Sequence, residues 1–531
     1  MKRGAVLALA AVLAAAALAP ACAPRHEDSS KDLRRGNGSE PDSLDPQLAR
    51  MEAAMTILRD CYEGLVSMAP DGTPVPGAAA RWAVSEDGRR YTFTLRPGAR
   101  WSNGDPVVAD DFVAAWRRLV NPATASQYAL MLEPVVNAAA IVARRSPVDT
   151  LGVSAPDAAT LVVELAEPSP YFLATLSHPS TFPVHRPTLA GNPKEFARPG
   201  VAVTNGAFTP VEWTIGSHIL AKRNKDYWND TATKLDAVRY VHVADPATEL
   251  TRFRAGDLDV TYTTPPGEAE RLRRDLPGQL HVAPTLGVYY YGLALDLPPF
   301  EDAPKLRQAL AMAVDREVLA RQVLGDGELP AYGWVPPGVA GYVPQQFAWA
   351  RLDPAVRVAE AKRLYAEAGY SAAKPLRIEL RTSKSPLHDR IALAVTAMWK
   401  ETLGAEATLR SEDFRVLKAA VDAREAPLFR GSWIGDYNDA YSFLQVLKGG
   451  FGINLPRYAS DPYDVALAMA ATADGAQRAT WLAAAESQLL ADVPLIPLYF
   501  YASKHLVAPR VQGWYDNVMN VTYSKDISTV P

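Results

Sequence analysis

Large apolar residues alternate with threonine across Tyr91-Thr92-Phe93-Thr94-Leu95, the period of two that a half-buried strand requires. Arg96-Pro97-Gly98 stops this strand, and upstream Trp82 and Val84 lead into Ser85-Glu86-Asp87-Gly88, where Asp-Gly marks a turn. The period then changes. Asp110-Asp111 place acids in the first turn of a predicted helix, where they complement its dipole. Phe112, Ala115, Trp116 and Leu119 follow on one face, and Asn121-Pro122 ends the element. Strands are predicted at 160–165, 235–245, 257–263 and 375–381, and an apolar one at 493–501. One long amphipathic helix is predicted over 305–324, carrying Leu306, Leu310, Ala313 and Val314. Others cover 358–368, with Gly369 as the stop, 388–403 and 479–489. Strands and helices alternate with mixed spacing and no internal repeat, which predicts an α/β class with several sheets.

The first 22 residues follow a different logic. Met1-Lys2-Arg3 is basic, residues 4–21 are uncharged and rich in Ala, Leu and Val, and charge returns at Arg25. This is the pattern of a secretory signal, with an uncleaved anchor as the alternative. Pro20 interrupts the weakly apolar run and favours cleavage. Leu18-Ala19-Pro20-Ala21-Cys22 resembles a bacterial lipobox, in which Cys22 would be lipidated; ordinary cleavage beside small residues is the other reading. Either way the mature chain is expected in the cell envelope. Residues 23–35 read as a polar tether. No second apolar run approaches the length of a membrane span.

Length and charge narrow the function classes. A chain of 531 residues exceeds one hydrophobic core and implies two to four domains or lobes. A net charge of −4 gives no basic footprint for nucleic acid. Two cysteines are too few for a disulfide framework or a thiolate metal site, and Cys61 reads as a small buried apolar side chain. The 8 histidines include no pair at helical ligand spacing. There is no nucleophile elbow, phosphate loop or dinucleotide fingerprint. Asp436-Tyr437-Asn438-Asp439-Ala440 begins like a calcium loop but places Ala440 at a ligand position. Neither metal nor cofactor is expected, and an enzyme is the weaker hypothesis.

More specific patterns begin at residue 43. Ser43-Leu44-Asp45-Pro46, Tyr62-Glu63-Gly64-Leu65, Trp82, Ser85-Glu86-Asp87-Gly88, Trp101-Ser102-Asn103-Gly104, Asp111-Phe112-Val113 and Trp116 resemble the signature of extracytoplasmic oligopeptide-binding proteins, the solute-binding components of peptide ABC importers. Asn205-Gly206-Ala207, Tyr227-Trp228, Pro298-Pro299-Phe300, Asp315-Arg316 and Gly435-Asp436-Tyr437-Asn438 extend the resemblance along the chain. It implies a two-lobed periplasmic-binding-protein fold with an additional domain on the first lobe and two hinge strands. The first lobe would comprise 36–62, 187–286 and 503–531, the additional domain 63–186 and the second lobe 287–502. The ligand would be a short peptide held between the lobes, and the partners an importer permease and ATPase. A monomer is expected.

The resemblance also implies site residues. Asp436 falls at the position that receives the ligand's α-ammonium, and a carboxylate suits that task through charge-assisted hydrogen bonds. Arg430, Ser432, Trp433 and Ile434 would form an edge strand against the peptide, with Arg430 meeting the α-carboxylate. Tyr128, Tyr290, His388 and Tyr437 fall at or beside contact positions, and Phe414 and Trp433 would wall side-chain pockets. Each aromatic has a core reading as its alternative. Departures lie at the carboxylate end: a lysine of relatives falls at Leu324, an acidic cleft residue at Arg50, and an arginine near Val421 is lost unless Arg424 replaces it. Cysteines bridged in some relatives fall at Gly287 and Ile434. A narrower ligand (a murein peptide, dipeptide, haem or metal chelate) is the alternative within the same fold.

Overall fold

The computed structural model describes residues 30–530. The signal sequence, Cys22 and most of the expected tether lie outside the described residues. The end of that tether is different from expectation. Asp32–Gly36 is a strand, parallel to Ala237–Val241, with Leu33 fully buried. Its charged residues look solvated in one dimension, yet Arg34 pairs with buried Asp259 at 2.8 Å and Arg35 donates to the Thr522 carbonyl.

This strand borders a four-stranded sheet completed by Ala237–Val241, His218–Arg223 and Phe208–Thr214. A second four-stranded sheet is antiparallel throughout: Ala79–Val84, Arg90–Leu95, Thr160–Glu164 and Val153–Asp157, in that spatial order. The helix Ala109–Val120 packs on it and buries Phe112, Ala115, Trp116 and Leu119, as their spacing predicts. Asp111 fixes the start of that helix. Its carboxylate accepts from the Val108 N–H and the Trp101 indole, both at 3.0 Å, and pairs with Arg186. One continuous core joins the two sheets.

The third sheet has six strands in the order Leu329–Pro330, Leu495–Leu506, Leu280–Leu293, Leu428–Ile434, Arg377–Ser383 and Glu406–Glu412. Its central strand explains the unbroken apolar run at 286–293. Val288 and Tyr290 enter a core with Trp334 and Phe443, while Tyr289 and Tyr291 enter another with Leu380 and Trp399. Both faces are covered, so neither can be polar. The fold is two-lobed α/β.

Two strands pass from lobe to lobe. Residues 280–284 pair with 502–506 near the first lobe's core, and 288–292 pair with 495–500 in the second lobe. The ladder is interrupted between Pro284 and Val288. Such a break lets a few residues absorb the dihedral change of a hinge.

Two further sequence expectations change. The helix of 305–324 is not continuous: Pro304–Met312 ends, and Asp315 caps a new turn by accepting from the Glu317 and Val318 N–H groups. Arg316 then turns fully inward and donates to the carbonyls of Ala311, Val314, Ala331 and Pro497. Residues 257–263 form no strand; Val260 makes only isolated bridges to Arg35 and Val507.

Candidate functional site

The strand Leu428–Ile434 is paired unevenly. Along one side it runs antiparallel to Leu280–Leu293 over its whole length. Along the other, Arg377–Ser383 reaches only Leu428 and Phe429. Gly435 donates to the Leu286 carbonyl, and the Ala294 N–H donates to Pro427, so odd-numbered residues bond inward. By alternation, Arg430, Ser432 and Ile434 direct their N–H and C=O groups away from Leu280–Leu293; the pairing of Phe429 with Arg381 takes up the Arg430 N–H, so the open edge begins at the Arg430 carbonyl. Gly431 lets the strands approach here: a Cβ would lie 2.3 Å from the Tyr290 ring. Gly287 and Ile434 are direct cross-strand partners, the isoleucine covering the glycine.

Asp436 follows immediately. Its N–H donates to the Ser442 hydroxyl at 3.0 Å, and the Trp433 indole donates to the Ser442 carbonyl at 2.9 Å, so the loop folds back onto the strand end. Ile434, Gly435 and Asp436 line a cavity of about 420 Å³ between the lobes. Facing them are Arg50, Glu52, Arg59 and Tyr262 of the first lobe, with Tyr128 and His178 opposite and Thr285, Leu286, Tyr501 and Ala502 at the hinge.

The charges in this cavity are mostly answered. Arg59 pairs with Glu52 at 2.6 Å, Arg50 with Asp42 at 3.2 Å, and Lys504 with Glu328. His178 is buried against the Tyr128 ring, 4.3 Å between centroids, and burial pushes its pKa down to about 3, so it is neutral. The Asp436 carboxylate has no cationic partner among the described residues. Burial alone pushes its pKa up to about 7. A desolvated carboxylate without a partner favours a cation brought from outside.

The residues singled out in the sequence do not all meet here. Asp436, Ile434 and Tyr128 line the cavity. Arg430 lies on the same strand, its guanidinium 4.8 Å over the Tyr289 ring and 3.4 Å from the Tyr501 hydroxyl, with no carboxylate partner among the described residues. Ser432 is on the open edge, and Trp433 packs back into the second lobe. Tyr437 is buried and its hydroxyl accepts from Gln445 at 3.0 Å. Tyr290 is a core aromatic, edge-on to Trp334 at 5.2 Å. His388 bonds Ser383 and stands near Tyr289; burial and the nearby Arg430 charge lower its pKa. Phe414 is 59% exposed at the start of its helix, apart from the cavity lining. At the carboxylate end, Leu324 is buried, and Arg424 is engaged by Asp296 and the Leu455 carbonyl. Sequence reasoning missed Arg59, His178, Tyr262 and Asn520, which line the cavity but carry no periodic or motif signal. Among the described residues, no group of three or more His, Cys, Asp or Glu is placed to hold a metal, and no helix is long and apolar enough to cross a membrane.

Comparison with known proteins identifies the family and the fold. Residues 73–454 match the family described as bacterial extracellular solute-binding proteins, family 5, middle region. The periplasmic oligopeptide-binding protein OppA of Escherichia coli is 37% identical over 94% of this chain and 92% of its own length. The probable deoxycholate-binding periplasmic protein YgiS of Escherichia coli is 38% identical, covering 93% of each chain. Among solved structures, the murein tripeptide binding protein MppA of Escherichia coli superposes with a TM-score of 0.84 at 35% identity, over 94% of this chain and 98% of that one. The chain therefore belongs to family 5 of the bacterial extracellular solute-binding proteins.

Proposed function

We propose that this protein captures short oligopeptides in the cell envelope, largely independent of their sequence, and delivers them to an ABC importer of permease and ATPase. It binds and releases; it makes and breaks no covalent bond. One observation carries the reading: an unpaired carboxylate, Asp436, stands at the end of an open strand edge inside an interlobe cavity. A peptide offers an ammonium for the first and a main chain for the second. Added-strand pairing recognises backbone and leaves side chains to roomy, hydrated space. The edge from Arg430 to Ile434 is about 13 Å long at a strand's rise, room for the main chain of about four ligand residues. Arg430, without a carboxylate partner among the described residues, suits the far end.

The same reading divides the chain into a discontinuous first lobe, an additional domain over 63–186 and a second lobe over 287–502. It places the mature protein at the membrane surface, tethered by lipid at Cys22, as a monomer. A narrower ligand is the second reading, favoured by the altered charges at the carboxylate end: Leu324 and Arg424 offer nothing to the cavity. Native mass spectrometry of the purified protein separates the two. A ladder of co-purified peptide masses is expected; one discrete mass would establish the narrower ligand, and an empty protein that ignores added peptides would sink both.

A further inference from the structure

The loop that presents Asp436 is held from outside its own lobe. Tyr171 precedes the short helix Phe172–Thr175, on the same body as the antiparallel meander. Its ring lies parallel to Tyr437, with centroids 5.5 Å apart and planes 8° apart, and to Tyr441, 4.7 Å and 14°. Tyr437 and Tyr441 belong to the second lobe and flank the turn that follows Asp436. A weaker clasp lies alongside: the Asn438 side-chain amide donates to the Asp71 carbonyl at 3.3 Å.

The platform is rigid on both sides. Phe172 is fully buried, edge-on to Tyr91 at 5.0 Å and to Trp116 at 6.4 Å, so its neighbour Tyr171 has little freedom. In the second lobe, Asp439 pairs with Arg478 and accepts from the Tyr441 N–H. Tyr441 is adjacent to Ser442, whose hydroxyl receives the Asp436 N–H. The path from the Tyr171 ring to the Asp436 backbone is thus one stacked pair and one hydrogen bond.

We infer that Tyr171 is a positioning residue for ammonium capture: stacked on Tyr437 and Tyr441 across the lobe boundary, it holds the Asp436 loop in place when the cleft is closed. This rests on the reading of Asp436 as the ammonium partner. Loss of the stack would leave Asp436 present but free to swing from the end of the open edge. A remote body would thereby help set ligand affinity without touching the ligand.

Trialanine titrated calorimetrically into four proteins tests this: wild type, Tyr171→Ala, Asp436→Asn and the double variant. Tyr171→Ala should weaken binding about three- to tenfold, the range of an aromatic pair. On the Asp436→Asn background it should cost nothing further, because the group it positions is already gone. Tyr171→Phe keeps the ring and should bind like wild type. Should Tyr171→Ala fail to fold, Tyr171→Leu replaces it with the same expectation. Unchanged affinity in Asp436→Asn would overturn the underlying reading. If Asp436→Asn weakens binding but the Tyr171 loss is absent, or is equal on both backgrounds, only the positioning role is overturned.

Discussion

Two carboxylates of the second lobe, both desolvated, have nearly opposite surroundings. Glu486, on the helix Gly475–Asp492, is fully buried and accepts from the N–H groups of Trp334, Val335 and Gln345 and from the Tyr342 hydroxyl, at 2.6–2.9 Å. Asp436 sits in the cleft with no donor to its carboxylate among the described residues. Burial pushes both up to about 7, and in Glu486 the four hydrogen bonds oppose that rise. Glu486 is fully buried and answered by four donors, whereas Asp436 is half-buried at the cleft and answered by none among the described residues. Glu486 staples the loop around 334–345 to a helix. Asp436 keeps a desolvated charge unmet, at a cost in stability, and under the proposed function that cost is returned when a ligand cation arrives.

The comparison can be broken in four ways. The largest effect should come from Glu486→Ala, which strands three buried N–H groups and a hydroxyl and should lower folding stability by about 4 kcal/mol in urea unfolding. A loss below about 1 kcal/mol would mean that the staple is decorative. Asp436→Ala should leave stability intact or improved but weaken peptide binding by about 2–5 kcal/mol, the range for removing one partner of a buried charged pair. Calorimetry showing wild-type affinity would reduce Asp436 to a turn residue.

The third test uses acid. The folded, empty protein holds the Asp436 proton up to about pH 7, whereas the unfolded chain releases it near pH 4. Asp436 therefore contributes stability below pH 4 that is lost as pH rises through 7. Binding runs the other way, because docking an ammonium needs the ionised form. From pH 7 to 5, affinity for a free-amino peptide should fall towards tenfold per unit, and Asp436→Asn should flatten that slope. An equal slope in both proteins would assign the proton elsewhere. The smallest effect concerns the open edge. Ser432→Pro removes an N–H that faces no strand and should weaken peptide binding by about 1 kcal/mol with little change in stability. Trp433→Pro removes a ladder bond and should destabilise the lobe instead; reversed outcomes would mean that the wrong edge is open.

How far the sequence anticipates these features depends on whether a residue's role is local. The strand at 90–95 and the helix at 109–120 were legible because their burial follows a period that the chain itself carries. The break at Asp315 was hidden: the apolar spacing continues through it, and only the carbonyls of Ala331 and Pro497, brought from elsewhere, explain why Arg316 turns inward. Val260 reads as a strand because it is apolar, yet its neighbours in space come from both ends of the chain. At the site, resemblance pointed to Asp436, but its lack of a partner is a property of three dimensions. Glu486 lies in Ala483-Ala484-Ala485-Glu486-Ser487, which gives no hint of burial, and Tyr171 is an aromatic in a proline-bearing loop. Neither could be separated from surface residues without the contacts.

The interlobe strand Leu495–Leu506 has a consequence for biogenesis. Its partner, Leu280–Leu293, is made some two hundred residues earlier, and the open edge of Leu428–Ile434 depends on the sheet both complete. Pairings so distant in sequence form slowly. A polypeptide that has not yet reached Leu495–Leu506 thus holds no finished cleft. The geometry of the cleft is complete only when nearly the whole chain has been made.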